Sequence, residues 1–167
     1  MGRAREIMDL LTDAITAGDR DALGRLYAPE AVAETPDAGR LEGREAIVDY
    51  LTTYKPAFPD MSWEGVSQYE FGDTAVDEGY FVGTHSGVLP SSGGDVLPTG
   101  RRVRVRECDL VTVSDGVAVS HRFYYDQFDF MSQLGLVESD SRAPADGAGA
   151  VPGPRVGSDQ PAGAPVR

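Results

Sequence analysis

Glu107, Asp109 and His121 are the residues of this 167-residue chain whose types and spacing best suit proton transfer. The two acids stand two apart in VRVRECDLVTV, Val103 to Val113, where strict alternation calls for apolar side chains. An acid at such a position is costly unless it is paired, hydrogen-bonded or protonated. With its pKa raised by apolar neighbours, Asp109 can serve as general acid or base, Glu107 as a second carboxyl that modulates it, and His121 can share or orient the transfer. The competing reading is structural: the acids pair with arginines at a sheet edge, and His121 is a hydrogen-bonded core residue. Residue pattern alone leaves both open.

Strand period decides which of these side chains meet. Val103, Val105, Glu107, Asp109, Val111 and Val113 fall on one face, and Arg102, Arg104, Arg106, Cys108 and Leu110 on the other. In the next run, VAVSHRFYYD, the residues Val117, Val119, His121, Phe123 and Tyr125 alternate onto a common face. Joined across Ser114-Asp115-Gly116 through a five-residue loop, the two runs set Val113 beside Val119 and Asp109 near Phe123 and His121. The resulting surface has apolar walls and a few convergent polar groups, the composition of a small-molecule pocket. Trp63, Tyr50 and Phe58 are further candidates for its lining. His85, at a strand end before a Gly/Pro/Ser-rich loop, is a candidate for its border.

Other chemistry is poorly served. With two histidines and no ligand spacing between them, no metal is expected. PSSGGDVLPTG is Gly-rich but lacks the strand-loop-helix context of a phosphate cradle, and reads as a mobile lip of the pocket. No cofactor is expected. Cys108, the only cysteine, permits no intramolecular disulfide and no cysteine-based zinc site, and is expected to pack as core. A net charge of −12 disfavours nucleic acid and anionic membranes as partners and leaves a small, apolar, neutral or weakly charged molecule. The N-terminus lacks a signal-like apolar region and no run reaches membrane-spanning length, so a cytoplasmic setting is expected.

The elements that must position these residues follow from periodicity. AREIMDLLTDAITAGD, with Ile7, Leu11 and Ile15 at four-residue spacing, predicts an amphipathic helix stopped by Gly18. Asp19 is the expected N-cap of a second helix, RDALGRLY, and GREAIVDYLTTYK predicts a third, ended by Pro56. Strands follow in MSWEGVSQYEF, with a turn at Gly72-Asp73, and TAVDEGYFVGTHSG, then the two long runs above. Asp126 is the expected N-cap of a short last helix, QFDFMSQLG. Helices first and an antiparallel sheet afterwards is an α+β arrangement, one domain over residues 1–138. Residues 139–167, rich in Gly, Pro and Ala and without aromatics, read as a disordered tail.

The order of AGDRDALGRLYAPEAV, LEGREAIVDYLTTYKPAFPDMSWE, PTGRRV, DGVAVSHR and a closing QLG resembles the SnoaL-like polyketide cyclase family of the NTF2-like superfamily, over about residues 5–137. The resemblance implies a cone in which N-terminal helices pack on a strongly curved antiparallel sheet around a deep pocket, commonly as a homodimer. Such folds include cyclases, hydroxylases, epoxide hydrolases, isomerases and members that only bind, so fold does not supply function. Aligned through the DG turn and HR, the family's aldol cyclases carry a catalytic His at the position of Asp109, a pocket Gln at that of Glu107, and a catalytic Asp at that of Phe123. This chain departs at all three, which puts that aldol mechanism in doubt. The expectation is a cofactor-independent cyclase or isomerase of polyketide-type natural-product biosynthesis. A hydroxylase or epoxide hydrolase, and a non-catalytic ligand- or partner-binding module, are the alternatives.

Overall fold

The computed structural model describes residues 2–91 and 93–137; the expected tail lies outside them. Helix α1, Arg3–Ala17, buries Ala4, Ile7, Met8, Leu11 and Ala14 as one stripe and ends on Gly18. Asp19 caps α2, Arg20–Leu26, accepting a bond from the Ala22 amide at 2.9 Å. Strands β1, Tyr27–Thr35, and β2, Gly39–Glu42, follow, then α3, Arg44–Thr52, and the single-turn α4, Tyr54–Ala57. The antiparallel run is β3, Ser62–Phe71, β4, Thr74–Thr84, β5, Arg102–Ser114, and β6, Val117–Tyr125. Helix α5, Gln127–Leu134, closes the domain, its first turn capped by Asp126 through the Asp129 amide at 3.0 Å. No helix of the described residues is long and apolar enough to cross a membrane.

The six strands form one sheet in the order β2-β1-β6-β5-β4-β3. The architecture is the expected α+β one, with α1, α3 and α5 packed on the sheet. Three particulars differ from expectation. Strands β1 and β2 have weak strand signals, since β1 carries Pro29 and its buried positions include the small Ala31 and Ala33. Because β1 pairs with β6 in parallel, the sheet is mixed, antiparallel in every other pairing. The third predicted helix breaks at Thr53, and Pro56 sits inside α4, within a first turn that tolerates a missing N–H.

The β5–β6 hairpin is tighter than a five-residue loop. Ser114 pairs with Val117, and Asp115 and Gly116 make the turn at φ 51° and 82°, the primed geometry that matches strand twist. A register shift after Thr112 then puts Ala118, not Val119, opposite Val113, and Ala118 is the buried residue. Beyond the shift the expected alternation resumes, with Val111 opposite His121, Asp109 opposite Phe123 and Glu107 opposite Tyr125.

Two separate apolar cores result. One joins α1, α2, α3 and β1 to Val111 and Val113; the other joins Phe58, Met61, Phe130 and Leu134 to Val103 and Val105. The inward face of β5 therefore reads valine, valine, acid, acid, valine, valine, and the two acids stand between the cores.

Candidate active site

A cavity of about 90 Å³ opens at that gap, with Glu107, Asp109, Phe123 and Tyr125 on the sheet side and Thr12, Ile15 and Thr16 of α1 on the helix side. Trp63, Tyr50, Tyr54, Phe81 and Phe130 complete an aromatic wall. A broader cleft of about 620 Å³, bounded by Asp9, Asp13, Gln68 and Asp77, shares Thr12, Thr16, Met61, Ser62 and Trp63 with the cavity and forms its mouth. Trp63 pairs with Phe81 across β3–β4, and its indole lies over Gly79, two residues along β4, where a Cβ would lie 2.6 Å from the indole Cζ2 and 2.5 Å from the Glu64 carbonyl oxygen.

Glu107 and Asp109 lie about 7 Å apart along β5, two residues of strand rise. Burial pushes the Asp109 carboxyl well above the usual carboxylate range, and the neighbouring Glu107 and Asp77 push it further. Burial, then Asp37, raises Glu107 to about 7. Both line the cavity, so the surface they retain opens into it. Asp109 Oδ1 is buried with no hydrogen-bond partner, the situation in which a carboxyl keeps its proton.

Two further acids flank this pair, each with partners of its own. Asp77, 2% exposed, is clamped by the Arg5 guanidinium of α1, whose Nη2 donates to Asp77 Oδ2 at 2.8 Å while Nη1 reaches Oδ1. Arg5 also holds Asp9 at 2.8 Å. At the rim, burial opposes ionisation of Asp37, yet donation from Tyr50 at 2.8 Å and Thr35 at 2.9 Å holds it below the ordinary carboxylate range. Tyr54 donates to its other oxygen at 3.2 Å. The Tyr125 hydroxyl stands close enough to help hold that charge, but makes no hydrogen bond of normal geometry.

Of the residues singled out from sequence, Asp109, Glu107, Phe123, Tyr125, Trp63 and Tyr50 meet at the cavity. His121, Phe58 and His85 do not line it. His121 is 1% exposed, bonded through Nδ1 to the Tyr27 hydroxyl at 2.5 Å and stacked behind Phe123 at 3.9 Å. Burial lowers its pKa to about 3, so it is neutral and has no proton to share with the acids near pH 7. Phe58 is fully buried behind Phe81 and Phe130. His85, far from being a border residue, is 0% exposed, stacked 5.1 Å from Phe58 and tied to Thr99 Oγ1 at 3.1 Å. The loop after it is pinned by a Leu89–Val96 bridge and contributes no described residue to the cavity wall, so it is not the lip. Cys108 is half-buried on the opposite face of β5. Among the described residues no group of three or more His, Cys, Asp or Glu side chains is placed to hold a metal ion.

Sequence reasoning missed Tyr54, Phe81 and Phe130 on the wall and Asp37, Asp77 and Arg5 behind it. Phe81 was legible in principle, since it shares the inward parity of β4 with Asp77. Asp37 carried no signal, because the turn that holds it belongs to the unpredicted β1–β2 hairpin.

The chain was compared with known proteins. The family model described as the SnoaL-like domain matches residues 8–121. A candidate SnoaL-like polyketide cyclase from Jannaschia sp. CCS1 superposes with a TM-score of 0.71 at 22% identity, covering 81% of this chain and 94% of the other. IdmH of Streptomyces antibioticus, a candidate polyketide cyclase, gives 0.64 at 27% identity over 78% and 96%. AclR of Streptomyces galilaeus, a candidate hydroxylase, gives 0.69 at 20% identity over 83% and 85%. No curated protein sequence matches significantly. The neighbours at 20 and 22% identity speak for the fold alone.

Proposed function

The chain belongs to the SnoaL-like domain family, with an NTF2-like fold, and from that premise we propose that it is a cofactor-independent cyclase or isomerase acting on an apolar, carbonyl-bearing molecule of the polyketide type. The observation that carries this reading is the placement of Glu107 and Asp109, two acids both raised above the ordinary carboxylate range, side by side on the wall of an aromatic cavity. A carboxylate beside a protonated carboxyl supplies a base and an acid.

Glu107, raised to about 7, is poised to remove a proton α to a carbonyl. Asp109, whose buried Oδ1 has no partner to support a charge, keeps its proton and donates it to the carbonyl oxygen. The product is an enol, its C–H proton now on Glu107 and its O–H proton from Asp109. The enol carbon then attacks a second carbonyl carbon of the same molecule, closing a ring while Glu107 passes its proton to that carbonyl's oxygen, or a conjugated enol takes the Glu107 proton at another carbon, giving an isomer. Asp109 regains its proton when the carbonyl re-forms. The aromatic wall holds a flexible substrate in a reactive shape and keeps water from competing.

The test uses exchange rather than an unidentified substrate. In D2O at pH 7, the α-protons of 2-tetralone are expected to exchange faster with the protein than in buffer, with that excess lost in Glu107→Gln and reduced at least about tenfold in Asp109→Asn. Equal rates in wild type and both variants, all folded, would leave the non-catalytic binding reading in its place.

A further inference from the structure

The ionisable side chains that line the cavity and its mouth are carboxyls and phenols. Glu107 and Asp109 are on the wall, Asp9, Asp13 and Asp77 bound the cleft outside, and no Lys, Arg or His side chain among the described residues lines either space. The acids at the edge have partners: Arg5 serves Asp9 and Asp77, and Asp37 takes its phenols and Thr35. The acid inside does not, since Asp109 Oδ1 is buried and unpaired. Phe123 pairs with it across β5–β6, and the rings of Trp63, Tyr125, Tyr54, Phe81 and Phe130 line the same cavity.

Aromatic faces attract cations through the ring quadrupole, and more strongly when water is excluded. A carboxyl with a free oxygen supplies the counter-charge, and an acidic mouth concentrates cations at the entrance. An anion would find no cationic side chain among the described residues on either lining. We propose that the ligand of this cavity carries an organic cation, a protonated or quaternary amine on an apolar body, with its charged centre beside Asp109 and its apolar groups against Trp63 and Phe123. The inference rests on the reading of the cavity as the ligand site and departs from the reaction proposed for it, since Asp109 serves here as counter-ion and not as proton donor.

A cation beside Asp109 favours the ionised carboxylate, so binding expels a proton. The groups facing Asp109 are Glu107 of β5, Asp77 of β4 with Arg5 of α1, Tyr27 of β1, and Phe123 of β6 backed by the neutral His121. Asp109 is the member of this set placed to lose its proton to a cationic ligand, with Glu107 as its neighbour.

Choline and 3,3-dimethylbutan-1-ol have the same shape and differ by the charge. Titration calorimetry of the full chain at pH 7 is expected to show choline binding at least about tenfold more tightly, with proton release seen as an enthalpy that differs between phosphate and Tris buffers. Asp109→Asn is expected to remove the preference without weakening the alcohol, and Glu107→Gln, as a second folded variant, to reduce it. Equal or stronger binding of the alcohol, or a preference untouched by both variants, overturns the inference. Quenching of Trp63 by 2-tetralone separates the two levels: tetralone bound and choline unbound overturns the cation while keeping the cavity, and neither bound overturns both.

Discussion

Asp77 stands directly opposite Asp109 across the β4–β5 pair, and only Asp77 has a counter-ion. The Asp77 carboxylate, its charge taken up by Arg5, therefore faces a carboxyl that has no cation of its own. Like charges at that spacing keep the unpaired member protonated. The clamp belongs to α1 and β4, so the helix that roofs the cavity also conditions the acid on its floor.

Replacing Asp77 by Asn removes that charge and frees Arg5, and both changes favour ionised Asp109. The midpoint of Asp109, followed by carboxyl 13C NMR, is expected to fall. Stability is expected to drop as well, by on the order of 3 kcal/mol, since Arg5 at 6% exposure loses a buried partner and keeps only Asp9. An unmoved Asp109 midpoint in the folded variant would remove Asp77 from the account.

Glu107 gives a stability signature of definite sign. Its folded pKa, about 7, lies above the ordinary 4.5, so its contribution is fully present below pH 4.5 and is lost as pH rises to about 7. Wild type is therefore expected to lose stability relative to Glu107→Gln across that window, by up to roughly 1.4 kcal/mol per pH unit, with no further change above it. Urea denaturation at intervals of half a pH unit reads the difference.

His121 has the opposite sign. Its folded pKa, about 3, lies below the ordinary 6.5, so its contribution is present above pH 6.5 and is lost as pH falls towards 3. The stability gap between wild type and His121→Gln is expected to shrink across that range, and a constant gap would mean that the imidazole is not buried neutral.

Gly79 makes room for the throat residue. Adding a methyl group at Gly79 is expected to destabilise the fold by about 1–3 kcal/mol and to shift the emission of Trp63, the only tryptophan, as the indole moves off β4. Unchanged emission and unchanged 2-tetralone quenching would show that the indole does not depend on this seat.

How far the sequence disclosed the site depends on which kind of signal each residue had. Parity along a strand is local, and it placed Glu107, Asp109, Phe123 and Tyr125 on one surface without knowledge of the rest of the chain. It mistook Val119 for a buried residue because the register shift after Thr112 is set by a tight turn, not by hydrophobic alternation. His85 was misplaced and the two readings of His121 could not be separated for one reason: a histidine gives no sign in sequence of whether its ring faces a cavity or a core, and here the Phe58 and Phe123 rings pack against them. The two flanking carboxylates were invisible because their partners, Arg5 at 72 residues from Asp77 and Tyr50 at 13 from Asp37, meet them only through the tertiary fold. The acids at 107 and 109 looked misplaced in a strand, and the gap between two cores is what places them.

The most direct test of the central claim is the pH profile of α-proton exchange in 2-tetralone. The account predicts a rate that rises as Glu107 ionises near pH 7 and loses that rising limb in Glu107→Gln. A profile of the same height and shape in wild type and Glu107→Gln would contradict it.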